Sequence, residues 1–184
     1  MNDIVIALAK AAILVALGQS EDFDLETAIK NYPVLEENGA AFVTINKEPN
    51  EQLRGCIGSL QAYRPLYKDI IYNAQAAALR DPRFVPLTTE ELDQIKIEVS
   101  ILSEPQKLLY DDIDDLQKKI VPFQDGVVLK LGERQATYLP QVWEQLPRFE
   151  DFFSSLCMKA NLSGDCLSQH PEISTYSVKK YKEE

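Results

Sequence analysis

The spacing of apolar and polar residues predicts both helices and strands in this chain. The first run, 2–17, is apolar on nearly all sides, which is typical of a helix buried in a core. Asn2 or Asp3 would cap its start, and Gly18 would end it. Apolar residues also recur at helical spacing in later segments. These segments predict further helices at 21–30, 63–79, 111–119 and 149–160, and a short one that starts at a capping box formed by Thr88 and Glu91.

Strict alternation of apolar and polar residues predicts strands elsewhere in the chain. Between residues 95 and 101, apolar side chains alternate with Lys96, Glu98 and Ser100, so this strand has one buried and one wet face. Other strand-like runs lie at 41–45, 127–131, 135–139 and 174–181, and one more enters the segment 53–60. Runs that are close in sequence are expected to pair antiparallel. We therefore predict an α+β fold, mainly an antiparallel sheet flanked by helices, over a single domain 1–184 or two small lobes that share a core.

The charge balance excludes some classes of function. The chain carries a net charge of −10 and has a pI near 4.7, which argues against coating of nucleic acid or an anionic membrane. Its apolar first helix has an acidic start and Lys10 in the middle, so we expect neither a leader peptide nor a membrane span. The window 53–87, however, holds five basic and two acidic residues. This local positive charge would suit a small anion or short RNA, and it would equally suit a solvated helix face.

The cysteine pattern does not indicate a disulfide framework. The three cysteines are an odd number without regular spacing, which favours a cytoplasmic location. Cys157, Cys166 and His170 have side chains that bind metals, but their spacing is too long for a zinc knuckle and a fourth ligand is missing. The chain also lacks a Walker or dinucleotide-type glycine loop. We therefore expect no metal and no cofactor.

The segment Leu53-Arg54-Gly55-Cys56-Ile57-Gly58-Ser59-Leu60 concentrates a thiol, a guanidinium, two glycines and a hydroxyl between two regular elements. Gly55 and Gly58 flank Cys56, which indicates a bulge, a residue with positive φ, or the close approach of another backbone or a ligand. Arg54 lies two residues before Cys56. On a regular strand the two side chains would share a face, and the guanidinium would favour the thiolate.

A helix is predicted to begin a few residues after this segment. The free N–H groups and the positive dipole at its amino end would suit an anion, with Ser59 as a hydroxyl donor. Arg83 lies in the loop after that helix and could come back toward Arg54. The sequence does not indicate whether Glu98 or His170 also approaches Cys56.

The same eight residues resemble the LRGCIG signature of the AMMECR family. Further blocks resemble the family in the same order, so that the resemblance covers essentially the whole chain: 81–87, 97–105, 126–129, 136–143 and 156–160. The family has no agreed biochemical function. The resemblance implies a Memo-type protein and a radical-SAM protein as partners, and a role in the modification of a biomolecule such as RNA.

Three hypotheses follow for the signature segment, and whether the protein is an enzyme stays open. In the first, Cys56 and Arg54 are catalytic and an anionic substrate binds at Gly55, Ile57, Gly58, Ser59 and Arg83. In the second, the same surface is a non-catalytic module that binds a partner protein or nucleic acid. In the third, the segment is a tightly packed turn without a ligand.

Overall fold

The computed structural model describes residues 1–183 and contains helices and two four-stranded sheets, which confirms the α+β prediction. In chain order the helices are α1 (Asn2–Ala16), α2 (Leu25–Asn31), α3 (Leu66–Leu79), α4 (Ile113–Lys119) and α5 (Phe149–Lys159). The strands are β1 (Ala40–Lys47), β2 (Gln52–Gly58), β3 (Ile95–Leu102), β4 (Gln106–Leu108), β5 (Gly126–Leu131), β6 (Arg134–Tyr138), β7 (Glu172–Tyr176) and β8 (Val178–Lys182). Short 3₁₀ turns lie at Pro33–Leu35, Thr89–Gln94, Pro140–Glu144 and Cys166–Gln169.

The chain divides into two compact units. The first unit contains Met1–Leu102 and the chain from Lys179 onward. The order of strands in its sheet is β2-β1-β3-β8, and β1 pairs antiparallel with both β2 and β3. α3 packs on β1, β2 and α1. The buried side chains of Val43, Ile45 and Val99 on the sheet form one core with those of Ile70 and Ala74 on α3.

The second unit contains Ser103–Val178. Its strands lie in the order β4-β7-β5-β6, and all three pairings are antiparallel. Its core is centred on Trp143, whose ring stacks on Phe152 with 3.6 Å between the centroids. The Trp143 Nε1–H donates to the Asp125 carbonyl at 3.0 Å, so the one polar group of this buried ring is satisfied.

The predicted last strand, 174–181, is in fact two strands in two different sheets. β7 ends at Tyr176 in the second unit, and β8 joins the first sheet from Val178. The change occurs at Ser177, whose N–H donates to Ser103 Oγ while its carbonyl accepts from the Ser103 N–H. A run of alternating residues carries no information about which sheet each half joins. The short strand β4 was also missed.

The cysteine prediction was wrong for two of the three residues. Cys157 and Cys166 form a disulfide in the second unit, and both side chains are buried. α5 ends at Lys159, and Asn161 takes a left-handed conformation with φ 57°, so the chain turns and brings Cys166 back beside the helix. Spacing in the sequence could not show that return. Among the described residues 1–183, none of the helices has the length and apolar character needed to cross a bilayer.

Candidate functional site

A β-bulge in β2 sets the position of the signature segment. The Cα partners across β1 and β2 are Thr44 with Cys56, Ile45 with Gly55, and Asn46 with Leu53, so Arg54 is an extra residue. Side chains on a strand alternate between faces. Thr44 and Cys56 therefore lie on the face opposite the buried Ile45, which is the polar face of the first sheet.

The two glycines mark close approaches within the first unit. A Cβ atom on Gly55 would lie 2.2 Å from the Ala77 carbonyl oxygen, which means that β2 runs directly against the backbone of α3. A Cβ atom on Gly58 would lie 2.1 Å from the Phe42 ring. Of the alternatives that the glycines indicated, a bulge and a close backbone approach are confirmed, whereas neither Gly55 nor Gly58 has a positive φ. Ile57, between the glycines, is half-buried against the core.

Arg54 is buried, and its guanidinium is occupied by other groups of the protein. Nε and Nη2 each donate to the Glu91 carboxylate at 2.9 Å. Nη1 donates to the Val85 carbonyl at 2.9 Å, and Nη2 has a longer contact with the Pro86 carbonyl at 3.4 Å. The bulge interrupts the regular alternation that would have placed Arg54 beside Cys56. Arg54 instead fixes the loop 85–91 on β2.

Glu91 has two roles in this arrangement. Its carboxylate accepts from the Thr88 N–H at 3.2 Å, which completes the capping box predicted at Thr88 and Glu91. The hydrogen bond from Arg54 is the main cause that lowers the pKa of Glu91. Burial of the carboxyl opposes this effect. Glu91 therefore stays ionised and links the turn 89–94 to the bulge.

The backbone of Cys56 is held at both of its polar groups. The Cys56 N–H donates to Asp81 Oδ2 at 2.9 Å, and the Cys56 carbonyl accepts from Arg83 Nη2 at 3.0 Å. Arg83 also donates from Nε and Nη2 to the Asp81 carboxylate, at 2.9 and 2.7 Å. The Thr44 hydroxyl lies 3.3 Å from the sulfur and can donate to it. We call Thr44, Cys56, Asp81 and Arg83 the Cys56 site.

Charge at this site is set by Asp81 and Arg83. The hydrogen bond from Arg83 is the largest cause that lowers the pKa of Asp81 well below its ordinary value, and the Cys56 N–H adds to it against the effect of burial. The pKa of Arg83 is raised, first by Asp81 and to a smaller extent by the Cys56 side chain. Arg83, and not Arg54, is thus the cation beside the thiol.

The lowered pKa of Asp81 predicts a loss of stability in acid. The unfolded chain takes up this proton near the ordinary value of 3.8 and the folded chain only at lower pH. Its contribution to the free energy of unfolding is therefore complete above about pH 4 and declines as the pH falls below that. We expect Asp81→Asn to be less stable than wild type at pH 6, with a difference that shrinks toward pH 3. Urea unfolding measured from pH 6 to pH 3 tests this prediction. A difference in the free energy of unfolding that stays constant over this range would contradict it.

Ser59 is buried and belongs to a separate polar cluster. Its hydroxyl donates to Asp69 Oδ1 at 2.7 Å. Asp69 Oδ2 accepts from the Ala41 N–H at 2.9 Å and from Asn73 Nδ2 at 3.0 Å. Arg64 Nε lies 2.9 Å from Asp69 Oδ1, but its N–H does not point at the oxygen, so this contact is an ion pair only. Ser59 therefore links the end of β2 to α3 through its hydrogen bond to Asp69.

The polar face of the first sheet continues across β3 and β8. Thr44 has Glu98 as its Cα partner on β3. Glu98 forms ion pairs with Lys180 at 3.8 Å and Lys182 at 3.4 Å on β8. Glu98 is therefore one strand beyond Thr44 and is already paired with two cations. His170, the other residue whose approach to Cys56 the sequence left open, lies in the second unit and stacks on Tyr110 with 4.3 Å between ring centroids.

The prediction missed several residues that form these contacts. Thr44 belongs to no sequence motif, and the sequence does not distinguish Asp69 from the other polar residues of the predicted helix. Arg83 was predicted as a site residue, but Asp81 was not, because it follows Cys56 by 25 positions and no local pattern links two residues at that separation. Two of the residues weighed as metal ligands, Cys157 and Cys166, are bonded to each other. Within residues 1–183, no three His, Cys, Asp or Glu side chains group as a metal site.

Known proteins give a consistent comparison. The family model described as AMMECR1 matches residues 6–181. A protein of Methanopyrus kandleri is 33% identical over 190 residues, which covers 100% of this chain and 88% of that protein. A protein of Saccharolobus islandicus is 39% identical over 157 residues, or 79% of this chain and 67% of that protein. The crystal structure of the uncharacterized protein PH0010 from Pyrococcus horikoshii superposes with a TM-score of 0.78 at 31% identity, over 100% of this chain and 91% of that one.

Proposed function

This chain belongs to the AMMECR1 family, and we propose that it handles an anionic substrate through the thiol of Cys56. The observation that supports this proposal is the position of the thiol. Cys56 is a free, half-buried cysteine on the polar face of the first sheet, and Arg83 binds its backbone carbonyl. A thiolate is the nucleophilic form of cysteine, and an adjacent guanidinium stabilises it.

Arg83 supplies the group that would hold the substrate. Its Nε and Nη2 are bound to Asp81, while Nη1 has no hydrogen bond to any of the residues 1–183. The side chain is 53% exposed, so this nitrogen can donate to a carboxylate or phosphate that enters from solvent. The fixed Asp81 carboxylate keeps the guanidinium in place for that contact.

The chemistry that this arrangement can support is displacement at an electrophilic carbon. The sulfur lone pair of Cys56 would form the new S–C bond, and the leaving group would depart with the electron pair of the bond that breaks. The Thr44 hydroxyl, 3.3 Å from the sulfur, would orient the thiolate by donating to it. Arg54 contributes by positioning, since it fixes the loop 85–91 against β2.

The proposal also includes the setting implied by the family resemblance. We place the protein in the cytoplasm, with Memo-type and radical-SAM proteins as partners in the modification of a biomolecule such as RNA. The alternative is a non-catalytic binding module that uses the same surface. One observation favours that alternative. Both backbone polar groups of Cys56 are hydrogen-bonded within the protein, and a rigid binding surface would have the same feature.

Alkylation of Cys56 separates these two functions. Cys157 and Cys166 are bonded to each other, so the folded, unreduced protein should take up iodoacetamide at one thiol only. We expect this reaction to proceed in the native state at neutral pH. Arg83→Ala should slow it by about threefold or more, because the cation beside the thiolate is lost.

A charge-matched variant provides the control for this experiment. Lys130→Ala removes one exposed positive charge from the second unit and should leave the rate unchanged. Mass spectrometry of tryptic peptides identifies the labelled residue, and circular dichroism checks the fold of each variant. If Cys56 stays unlabelled until the protein is unfolded, the nucleophile proposal fails and the non-catalytic binding module becomes the better hypothesis.

A further inference from the structure

Two tyrosine and two arginine side chains alternate along α3. Tyr63 and Arg64 precede the helix, Tyr72 lies in its middle, and Arg80 follows its last residue. The Arg64 guanidinium carbon lies 5.4 Å from the Tyr63 ring centroid and 4.5 Å from that of Tyr72. On the same Tyr72 ring, the Arg80 guanidinium carbon lies at 5.1 Å. Each distance is within the range of a cation–π contact. The order in space is therefore Tyr63, Arg64, Tyr72, Arg80.

The two rings remain open to solvent. Tyr63 is 65% exposed and Tyr72 is 48% exposed, although an aromatic side chain gains free energy from burial. Tyr72 lies between the guanidinium groups of Arg64 and Arg80, whereas Tyr63 has only the Arg64 guanidinium beside it. A flat molecule that stacks on the open side of Tyr63 would therefore find a surface that is already ordered.

Basic residues lie around these rings, while Glu36 and Glu37 are exposed close to the start of α3. Lys68 and Arg80 are exposed and form no ion pair within residues 1–183. Arg64 contacts Asp69 only through Nε, and its terminal nitrogens have no hydrogen bond to the described residues. The nearest acidic residues in this stretch of sequence, Asp69 and Asp81, have buried carboxylates. We call Tyr63, Arg64, Lys68, Tyr72 and Arg80 the tyrosine–arginine surface.

We propose that the tyrosine–arginine surface binds a single-stranded nucleic acid. Bases stack on exposed aromatic rings and on guanidinium planes, while lysine and arginine neutralise the phosphates between them. A single strand of nucleic acid carries both flat rings and negative charges in repetition, so it matches both features of this surface. Tyr63 and the guanidinium plane of Arg80 supply the stacking, and Arg64, Lys68 and Arg80 supply up to three phosphate contacts.

The net charge of −10 does not oppose this proposal. Charges are screened beyond roughly 8 Å at physiological ionic strength, so a phosphate at this surface experiences mainly the three local cations. The overall acidity predicts weak binding that depends strongly on salt. The surface is formed by residues outside the Cys56 site, so this proposal does not depend on the function of the thiol.

Fluorescence anisotropy with a labelled oligouridylate of about ten nucleotides tests the proposal. At about 50 mM salt we expect a dissociation constant in the micromolar range, which is the tight end of the range for non-specific binding. The logarithm of the association constant should fall against the logarithm of salt concentration with a slope of about 2, as expected for three phosphate contacts. Tyr72→Ala should weaken binding by about tenfold, since it removes the ring that orients the guanidinium groups of Arg64 and Arg80.

Matched variants distinguish stacking from general charge or general hydrophobicity. Phe123→Ala removes an exposed aromatic ring of the second unit and should leave binding unchanged. Arg80→Ala should reduce the salt slope by about 0.7, whereas Lys130→Ala should not change it. Unchanged alkylation of Cys56 shows that the Tyr72→Ala and Arg80→Ala proteins remain folded.

Two results would overturn the proposal. One is the absence of binding at oligonucleotide concentrations up to about 100 μM in low salt. The other is binding that inorganic polyphosphate displaces as well as the oligonucleotide does and that Tyr72→Ala leaves intact, because a pure charge contact needs no rings. Either outcome leaves the proposal for Cys56 unaffected.

Discussion

Replacement of Gly55 by alanine is expected to prevent stable folding of the first unit. The new methyl group would lie 2.2 Å from the Ala77 carbonyl oxygen, a backbone atom in the last turn of α3. The helix or the strand must move by more than 1 Å, because ordinary contacts begin near 3.4 Å. Such overpacking costs about 3 kcal/mol or more, which is a large part of the stability of a domain.

Two further glycine variants serve as comparisons. At Gly164 the obstacle is the Ser154 hydroxyl, 2.7 Å away, which can rotate, so Gly164→Ala should cost less than about 1 kcal/mol. Gly58→Ala meets the Phe42 ring, which can shift on its side chain, and should fall between the two. Urea unfolding followed by circular dichroism ranks the three. If Gly55→Ala is as stable as Gly164→Ala, the close approach of β2 to α3 is wrong.

Replacement of Asp69 by alanine is expected to be nearly as damaging. Asp69 is 0% exposed, and its carboxylate accepts from Ala41, Ser59 and Asn73 and pairs with Arg64. Its removal leaves buried donors and one cation without an acceptor. Each buried donor left without an acceptor costs about 1–3 kcal/mol, so the loss of the acceptor of three such donors costs about 3 kcal/mol or more. We therefore expect a loss of that size in the free energy of unfolding.

Asparagine at this position provides a stringent comparison. It keeps the shape of the side chain but has one acceptor oxygen, whereas both Asp69 oxygens accept. Asp69→Asn should therefore recover only a minor part of the loss. The control is Asp24→Ala, which removes the cap of α2 at an exposed position and should cost about 1 kcal/mol. Equal effects of Asp69→Ala and Asp24→Ala would contradict the role of the buried cluster.

The parts of the site that the sequence could predict are those set by local spacing. Alternation in 95–101 correctly placed Glu98 on a polar face, and the Thr88 and Glu91 spacing correctly predicted a capping box. The glycines around Cys56 correctly indicated a bulge and a close approach. Each of these features depends on residues within a few positions of one another, where strand and helix periodicity hold.

The remaining features depend on contacts between distant residues. The partner of the Cys56 backbone is Asp81, and the partner of Arg54 is Glu91, 37 residues away. No periodic pattern links such positions. The bulge at Arg54 also moves the residues before it to the other face of the strand. A prediction that assumes a regular strand therefore places Arg54, and not Arg83, beside the thiol. Arg83 was predicted to come back toward Arg54, and in the fold it binds the Cys56 carbonyl instead.

The crossing at Ser177 determines the order in which the protein can be completed during synthesis. The second unit is inserted between β3 and β8, so the first sheet lacks one of its four strands until Lys182 has left the ribosome. Until then β3 presents an unpaired edge, the kind of edge that recruits strands from other chains. A nascent chain that stalls within the second unit would therefore expose that edge to its neighbours.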